Sequence, residues 1–298
     1  MMKRTISKMT AGSLLSLFLL AGCATVPGFS VQNGSDEVDA LAKAKKYQLG
    51  ADISNDPGVE MDEAFTTQAA LPSKVDLRSG FSPVGNQGQF GSCTSFATIK
   101  GLQEFLLKKQ GRYEAQAPAY LWYQARRQTG GKGQDTGVPT EFAMKMLDAY
   151  GSIPEKDFPY LEAAKQKNDA ARKEFLERQP GSALETKGKK NRIMTGYKSV
   201  TKLSAIRNGL ADGVPVVLAM RVYSSIGKTG KNGMLPMPTS KDEFQGGHAV
   251  IAAGYDNEKK VLIVRNSWGS DWADGGYFYM PYEYIKQGHV RLALVPKI

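Results

Sequence analysis

The chain predicts an α+β fold of two lobes, helical in its first half and β-rich in its second. Two patterns carry that expectation. Between Thr94 and Arg178 apolar residues recur mostly at helical spacing, whereas from Val214 onward short β-prone runs alternate with turn residues. Size is the third observation, since the roughly 200 residues beyond Leu71 can bury a core without cross-links.

The elements follow in order. Thr94 to Lys109 places Phe96, Ile99, Leu102, Phe105 and Leu106 at helical spacing, with Gly111 as a stop. Ala117 to Arg127 and Thr140 to Ala149 also read as helices, the second with Thr140 as its cap and Phe142, Met146 and Leu147 among its apolar positions. Leu161 to Arg178 reads as a charged, alanine-rich peripheral helix, and Ser204 to Ala211 as another. Strands are expected at Val214 to Val222, His248 to Tyr255, Val261 to Asn266, Tyr277 to Met280 and Val290 to Val295. No internal repeat is apparent.

The first 70 residues have a different character. Lys3, Arg4 and Lys8 precede an apolar run from Leu14 to Ala21, too short for a stable membrane span and proportioned like a signal-peptide core. It ends Leu20-Ala21-Gly22-Cys23, which resembles the bacterial lipobox, where the chain is cut before the cysteine and lipid is attached to it. An uncleaved anchor and an ordinary cleaved signal are the other readings of this run. Ala24, in place of an aspartate, favours the outer membrane in a cell that has one. Residues 24–70 hold eight acidic and three basic residues, a short helical stretch from Asp39 to Leu49, and several turn residues. They read as a tether, with a short pro-segment as the alternative. The expected division is thus 1–22 signal peptide, 23–70 lipidated cysteine and tether, and 71–298 a folded domain.

The whole chain carries a net charge of +10. The basic residues are spread, and the densest group, Lys187, Lys189, Lys190 and Arg192, falls in an expected loop without interleaved aromatics. This excludes a nucleic-acid partner and leaves a solvated face with weak attraction to anionic polymers.

Only two cysteines are present. With Cys23 assigned to lipid, Cys93 has no disulfide partner. Cys93 follows the glycine-punctuated turn Gln87-Gly88-Gln89-Phe90-Gly91-Ser92 and opens the first helix, where the macrodipole favours a thiolate. Of the two histidines, His289 reads as structural, while His248 enters a strand through Gly246-Gly247. Asn266-Ser267-Trp268-Gly269 closes the next strand, where an asparagine can orient an imidazole and a tryptophan can shield that bond from water.

These segments together resemble the papain-like cysteine peptidases. The likeness runs through Leu71-Pro72 with Val75-Asp76-Leu77-Arg78, then Gln87 to Cys93, then His248-Ala249-Val250 with Gly254-Tyr255, then Asn266-Ser267-Trp268-Gly269 with Gly275-Gly276-Tyr277. It implies a helical lobe, a β-barrel-like lobe and an active site in the cleft between them. It also implies Cys93 and His248 as a thiolate–imidazolium pair, Asn266 holding the imidazole, and Gln87 with the Cys93 N–H binding the oxyanion. Gly137, Val138, Pro139, Ala249 and Trp268 would line the substrate groove, with Thr136 narrowing it. Substrates would be proteins or peptides, cleaved by a monomer without cofactor or metal. Three departures stand out. Phe90 sits where eukaryotic members carry a disulfide cysteine, Thr94 replaces the usual tryptophan after the nucleophile, and one of the family's groove glycines is absent beside Gly137. A cell-wall amidase or transpeptidase using the same nucleophile, and a catalytically silent binding lipoprotein, are the alternative functions.

Overall fold

A helix buried on every side organises the molecule, which a computed structural model describes over residues 47–61 and 71–298. This helix, α1, is a continuous run made of Cys93–Ser95, a π-helical stretch Phe96–Gln103, and Glu104–Lys109. Ile99, Leu102 and Leu106 are buried, and so are Thr98, Gln103 and Glu104. At Gly101 the helix touches a strand so closely that a Cβ would lie 2.9 Å from Ile251 Cγ2. Gly111, at φ +68°, ends the helical region as expected.

Pro118–Gln128 (α2) and Thr140–Tyr150 (α3) pack beside α1. Thr140 is the first helical residue of α3; Pro139 holds the capping position and the Thr140 hydroxyl makes no hydrogen bond. The expected long helix at Leu161–Arg178 is divided. A 3-10 turn, Ala163–Lys167, precedes Asp169–Glu177 (α4), and Asn168 Oδ1 accepts from the Ala171 N–H at 2.9 Å. Nor is α4 purely peripheral, because Phe175 and Leu176 are buried. The basic group expected in a loop lies largely on a helix, Ser182–Lys190 (α5), built from good helix formers. Leu203–Ala211 (α6) and Tyr282–Lys286 (α7) complete the set.

Six strands of the second half and one of the first form a seven-stranded sheet. Its order is Gly196–Ser199 (β4), Val290–Lys297 (β9), Val216–Tyr223 (β5), Phe244–Asp256 (β6), Val261–Arg265 (β7) and Tyr277–Pro281 (β8), with Lys74–Asp76 (β2) pairing with β6. All these pairings are antiparallel, and the end strands β4 and β8 are not bonded to each other among the described residues. Both faces of β6 are buried. Ala249, Ile251 and Ala253 pack toward α1, while Val250, Ala252 and Tyr255 join a separate core with Trp268 and Phe278.

Residues 47–61 are bound to the domain, in contrast to the tether expected for this stretch. Ala51–Asp52 (β1) pairs in parallel with Val138–Pro139 (β3), and Gly58 and Val59 donate to the Arg291 and Val290 carbonyls. Backbone pairing between distant segments supplies contacts that local composition does not reveal. Tyr47–Leu49, the end of the helix expected from Asp39, is not helical; the rest of it lies outside the described residues, as does the leader with Cys23.

Phe90 is fully buried, its ring 5.5 Å from that of Trp122 and 5.0 Å from that of Phe175. Replacing Phe90 by alanine is expected to cost about 3–5 kcal/mol of stability, the usual range for an emptied aromatic site. Urea unfolding of the two proteins measures it, and a loss below 1 kcal/mol on this scale would show that the cluster collapses around the gap.

Candidate active site

Cys93 is at the first position of α1, after Ser92. The Ser92 hydroxyl makes no capping bond, and the N–H groups of Cys93 and Thr94 lie against the thiol together with those of Ala249 and Gly50. Thr94, where the family resemblance implied a tryptophan, is buried and its hydroxyl is unpartnered.

His248 comes from β6 opposite Met220, and Asn266 follows β7, whose register sets Ile251 opposite Arg265. That register carries Asn266 to the imidazole. His248 Nε2 donates to Asn266 Oδ1 at 2.8 Å, and the same oxygen accepts from the Ser267 N–H at 2.8 Å. With Nε2 bearing the proton, Nδ1 is the basic nitrogen; it is buried and makes no hydrogen bond. The Trp268 ring lies 4.9 Å from the imidazole, so the bond to Asn266 is covered as expected.

Gln87 is buried, and each of its polar groups is engaged. Its N–H donates to Ser267 O at 2.9 Å, and its Oε1 accepts from Ser267 Oγ at 2.5 Å. Nε2 donates to Phe90 O at 2.9 Å, and also to Gln48 O at 2.9 Å. Ser267 therefore fixes which end of the amide is the donor, and the carbonyl of Gln48 takes that donor's second proton.

The 47–53 segment meets the other expected groove residues as well. The Val138 N–H donates to Gly50 O at 2.9 Å, and Pro139 is opposite Asp52. A Cβ on Gly137 would lie 2.3 Å from Gly50 O, and one on Gly247 would lie 2.1 Å from Ala51 O. Tyr47 stacks on Trp268 with centroids 5.0 Å apart and donates to Trp268 O. Gly137, Val138, Pro139, Trp268 and Gln87 thus all meet residues 47–52, whose Gly50 N–H lies against the Cys93 thiol beside that of Ala249, the residue after His248. Thr136 does not narrow it: its hydroxyl is turned onto Gly131, where a Cβ would lie 2.2 Å away. No local pattern marks Gln48 and Gly50, which are placed by bonds to Gln87 and Val138, distant in the chain.

Burial governs the charge state. Cys93 and His248 are both fully enclosed. Desolvation pushes the thiol up to about 11, opposed by the surrounding N–H groups. It pushes the imidazole down to about 4, opposed by the bond to Asn266. With the cleft covered the pair is neutral, in contrast to the thiolate expected from the helix dipole alone.

The sequence pattern of the papain family of cysteine proteases matches residues 71–293. The chain is 31% identical over 222 residues to an uncharacterized peptidase C1-like protein of Acanthamoeba polyphaga mimivirus, covering 71% of this chain and 68% of that protein. It is 29% identical over 214 residues to pro-cathepsin H of Mus musculus, covering 70% of this chain and 59% of that protein. It thus spans about two thirds or less of the length of these relatives. Among solved structures, xylellain, a cysteine protease from Xylella fastidiosa, matches with a TM-score of 0.69 and 31% identity over 85% of this chain and 96% of that one. A recombinant stem bromelain precursor shares the fold, with a TM-score of 0.61 and 24% identity over 84% of this chain and 76% of that one. The chain belongs to the papain family of cysteine proteases, a class of peptide-bond hydrolases.

Iodoacetamide alkylation of Cys93 in the full chain is expected to accelerate only as pH approaches about 11. Gly50→Ala, whose Cβ would lie 2.1 Å from Gly91 O, expels the segment and hydrates the thiol. Its alkylation midpoint moves down. Coincident pH profiles for the two proteins would show that the segment does not control the thiol.

Proposed function

We propose that this protein is a cysteine endopeptidase, kept latent by residues 47–61 and tethered to the bacterial envelope through lipidated Cys23. One observation carries the catalytic reading: His248 commits Nε2 to Asn266 and keeps a buried, unpartnered Nδ1, and the N–H of the next residue, Ala249, lies against the Cys93 thiol. With the cleft open, Nδ1 takes the thiol proton and the thiolate attacks a peptide carbonyl. The Gln87 amide and the Cys93 N–H receive the oxyanion, an arrangement in which one donor contributes about 2.7–4 kcal/mol. The imidazolium protonates the leaving amine, and water then hydrolyses the thioester.

Latency is supported by what residues 47–53 occupy. Gln48 O takes the Gln87 donor, Gly50 O takes the Val138 N–H, and the Gly50 N–H faces the sulfur. An amide N–H opposite the thiol, in place of a carbonyl carbon, presents nothing to attack. The opposite charges of 24–70 and the domain, net −5 and +12, favour the closed state. Attachment at Cys23 rests on the basic leader, the short apolar run and Leu20-Ala21-Gly22-Cys23. Among the described residues no helix is long and apolar enough to cross a membrane.

Gly50→Ala is expected to cleave casein roughly tenfold or more faster than the wild type, as when a closed state holding over nine-tenths of the molecules is opened. Adding Cys93→Ser abolishes turnover and leaves the fold intact by circular dichroism. Release of peptides from peptidoglycan, with casein untouched, would make the protein a cell-wall amidase. Labelled palmitate should enter the wild type in cells; continued incorporation in Cys23→Ala would defeat the anchor.

A further inference from the structure

The loop Gln87–Ser92 carries one oxyanion donor and delivers the other, yet Phe90 stands where related enzymes have a disulfide cysteine, and the only described cysteine is Cys93. Side chains from residues 135–172 grip this loop's polar groups in succession. The Tyr160 hydroxyl donates to Gln87 O at 2.9 Å, and Gln166 Nε2 donates to the same oxygen at 3.1 Å. Gln166 Oε1 accepts from the Gln89 N–H at 2.5 Å. Asp135 Oδ1 accepts from the Gly91 N–H at 2.9 Å, and its other oxygen pairs with Arg172 at 2.8 Å. The Arg172 guanidinium lies 4.5 Å from the centre of the Phe90 ring.

Tyr160 is the member that joins both ends of the loop. A phenol has one proton. Since that proton goes to Gln87 O, the hydroxyl oxygen accepts from Ser92 Oγ, 2.6 Å away. Two consequences follow. The separation between Gln87 and Ser92, and with it that between the Gln87 side chain and the Cys93 N–H, is bridged by a single atom. Ser92, at a position where serine ordinarily caps a helix, has its hydroxyl drawn away from the helix, so the Cys93 and Thr94 N–H groups remain turned to the reacting sulfur. Burial holds the Tyr160 hydroxyl well above the ordinary phenol range, so it stays a neutral donor. Rings of Phe90, Phe96 and Phe175 meet the Tyr160 ring edge-on and fix its aim, at centroid distances of 6.1, 4.8 and 5.3 Å.

We propose that Tyr160 is a positioning residue for the oxyanion hole, its hydroxyl fixing the spacing of Gln87 and Ser92. This rests on the peptidase reading above. The test separates oxyanion stabilisation from thiol reactivity, because alkylation of Cys93 by iodoacetamide passes through no oxyanion. Tyr160→Phe removes one atom and retains the ring. In the full chain carrying Gly50→Ala, this change is expected to lower kcat on a peptide substrate about tenfold, part of the hundred- to thousand-fold loss typical when an oxyanion donor is deleted. KM and the alkylation rate stay within twofold, a margin that misplacement of a donor alone permits. Ser92→Ala, which cuts only the second bond, gives a smaller fall in kcat. Unchanged kcat in Tyr160→Phe would overturn the proposal, and so would equal losses in kcat and alkylation, which signify general damage to the site. Failure of the Gly50→Ala parent itself to cleave peptides would instead defeat the peptidase reading.

Discussion

The close approach of α1 to β6 sets the geometry on which the rest of the site depends. Gly101 allows the helix backbone to rest on Ile251, and Arg265 donates to Lys100 O of the helix at 3.4 Å as well as to Ser82 O and Pro83 O, at 2.7 and 2.9 Å. Cys93 starts that helix and His248 lies on that strand. Their distance is therefore a property of two buried elements in contact, and not of the loops that present them. Close packing of this kind has few alternatives, since even a methylene of error forces shifts in the surrounding core. The register of β7 against β6 then supplies Asn266, and the residue after it, Ser267, orients Gln87. A single sheet contact thus positions His248, Asn266 and Gln87 together.

Such enclosure conflicts with catalysis. A thiolate–imidazolium pair needs an environment that tolerates charge, and a dry interior opposes it. The conflict is greatest while residues 47–53 cover the cleft, since the main-chain groups that occupy the groove also exclude the water that would solvate the ion pair. In the proposed latent state, occlusion and electrostatic silencing are consequently one event: the carbonyl of Gln48 takes the Gln87 donor while the enclosure around Gly50 keeps the proton on sulfur.

What could be read from the sequence divides along the same physical line. Cys93, His248, Asn266 and Gln87 were legible because each lies in a segment whose glycines, turn residues and apolar runs mark a specific local geometry. The main helices and strands were legible from period. The break at Asn168 was obscured because the charged, alanine-rich run continues across it, and only the capping bond to Ala171 separates the two pieces. The helix Ser182–Lys190 is obscured because its closely spaced lysines read as a solvated loop, although lysine is itself a good helix former. Residues 47–61 and the grip of Tyr160, Gln166 and Asp135 on the nucleophile loop were invisible for a deeper reason. They consist of backbone and hydroxyl hydrogen bonds between segments tens of residues apart, and nothing in a local pattern encodes the partner.

A loop held by aromatic packing and hydrogen bonds differs energetically from one held by a disulfide. A cross-link acts largely by restricting the unfolded chain, whereas the cluster around Phe90 and Tyr160 acts only once the chain is folded. The loop's order is then tied to the core through the contacts of Phe90 with Trp122, Phe175 and Arg172. For a chain with one thiol between residues 71 and 298, the arrangement has a chemical advantage. No second cysteine is present there to mispair with Cys93 during folding, so the nucleophile emerges free, and its exposure to oxidants is governed by the segment that covers it. The absence of a cross-link and the presence of a cover are in this sense complementary, one keeping the thiol unpaired and the other keeping it protonated.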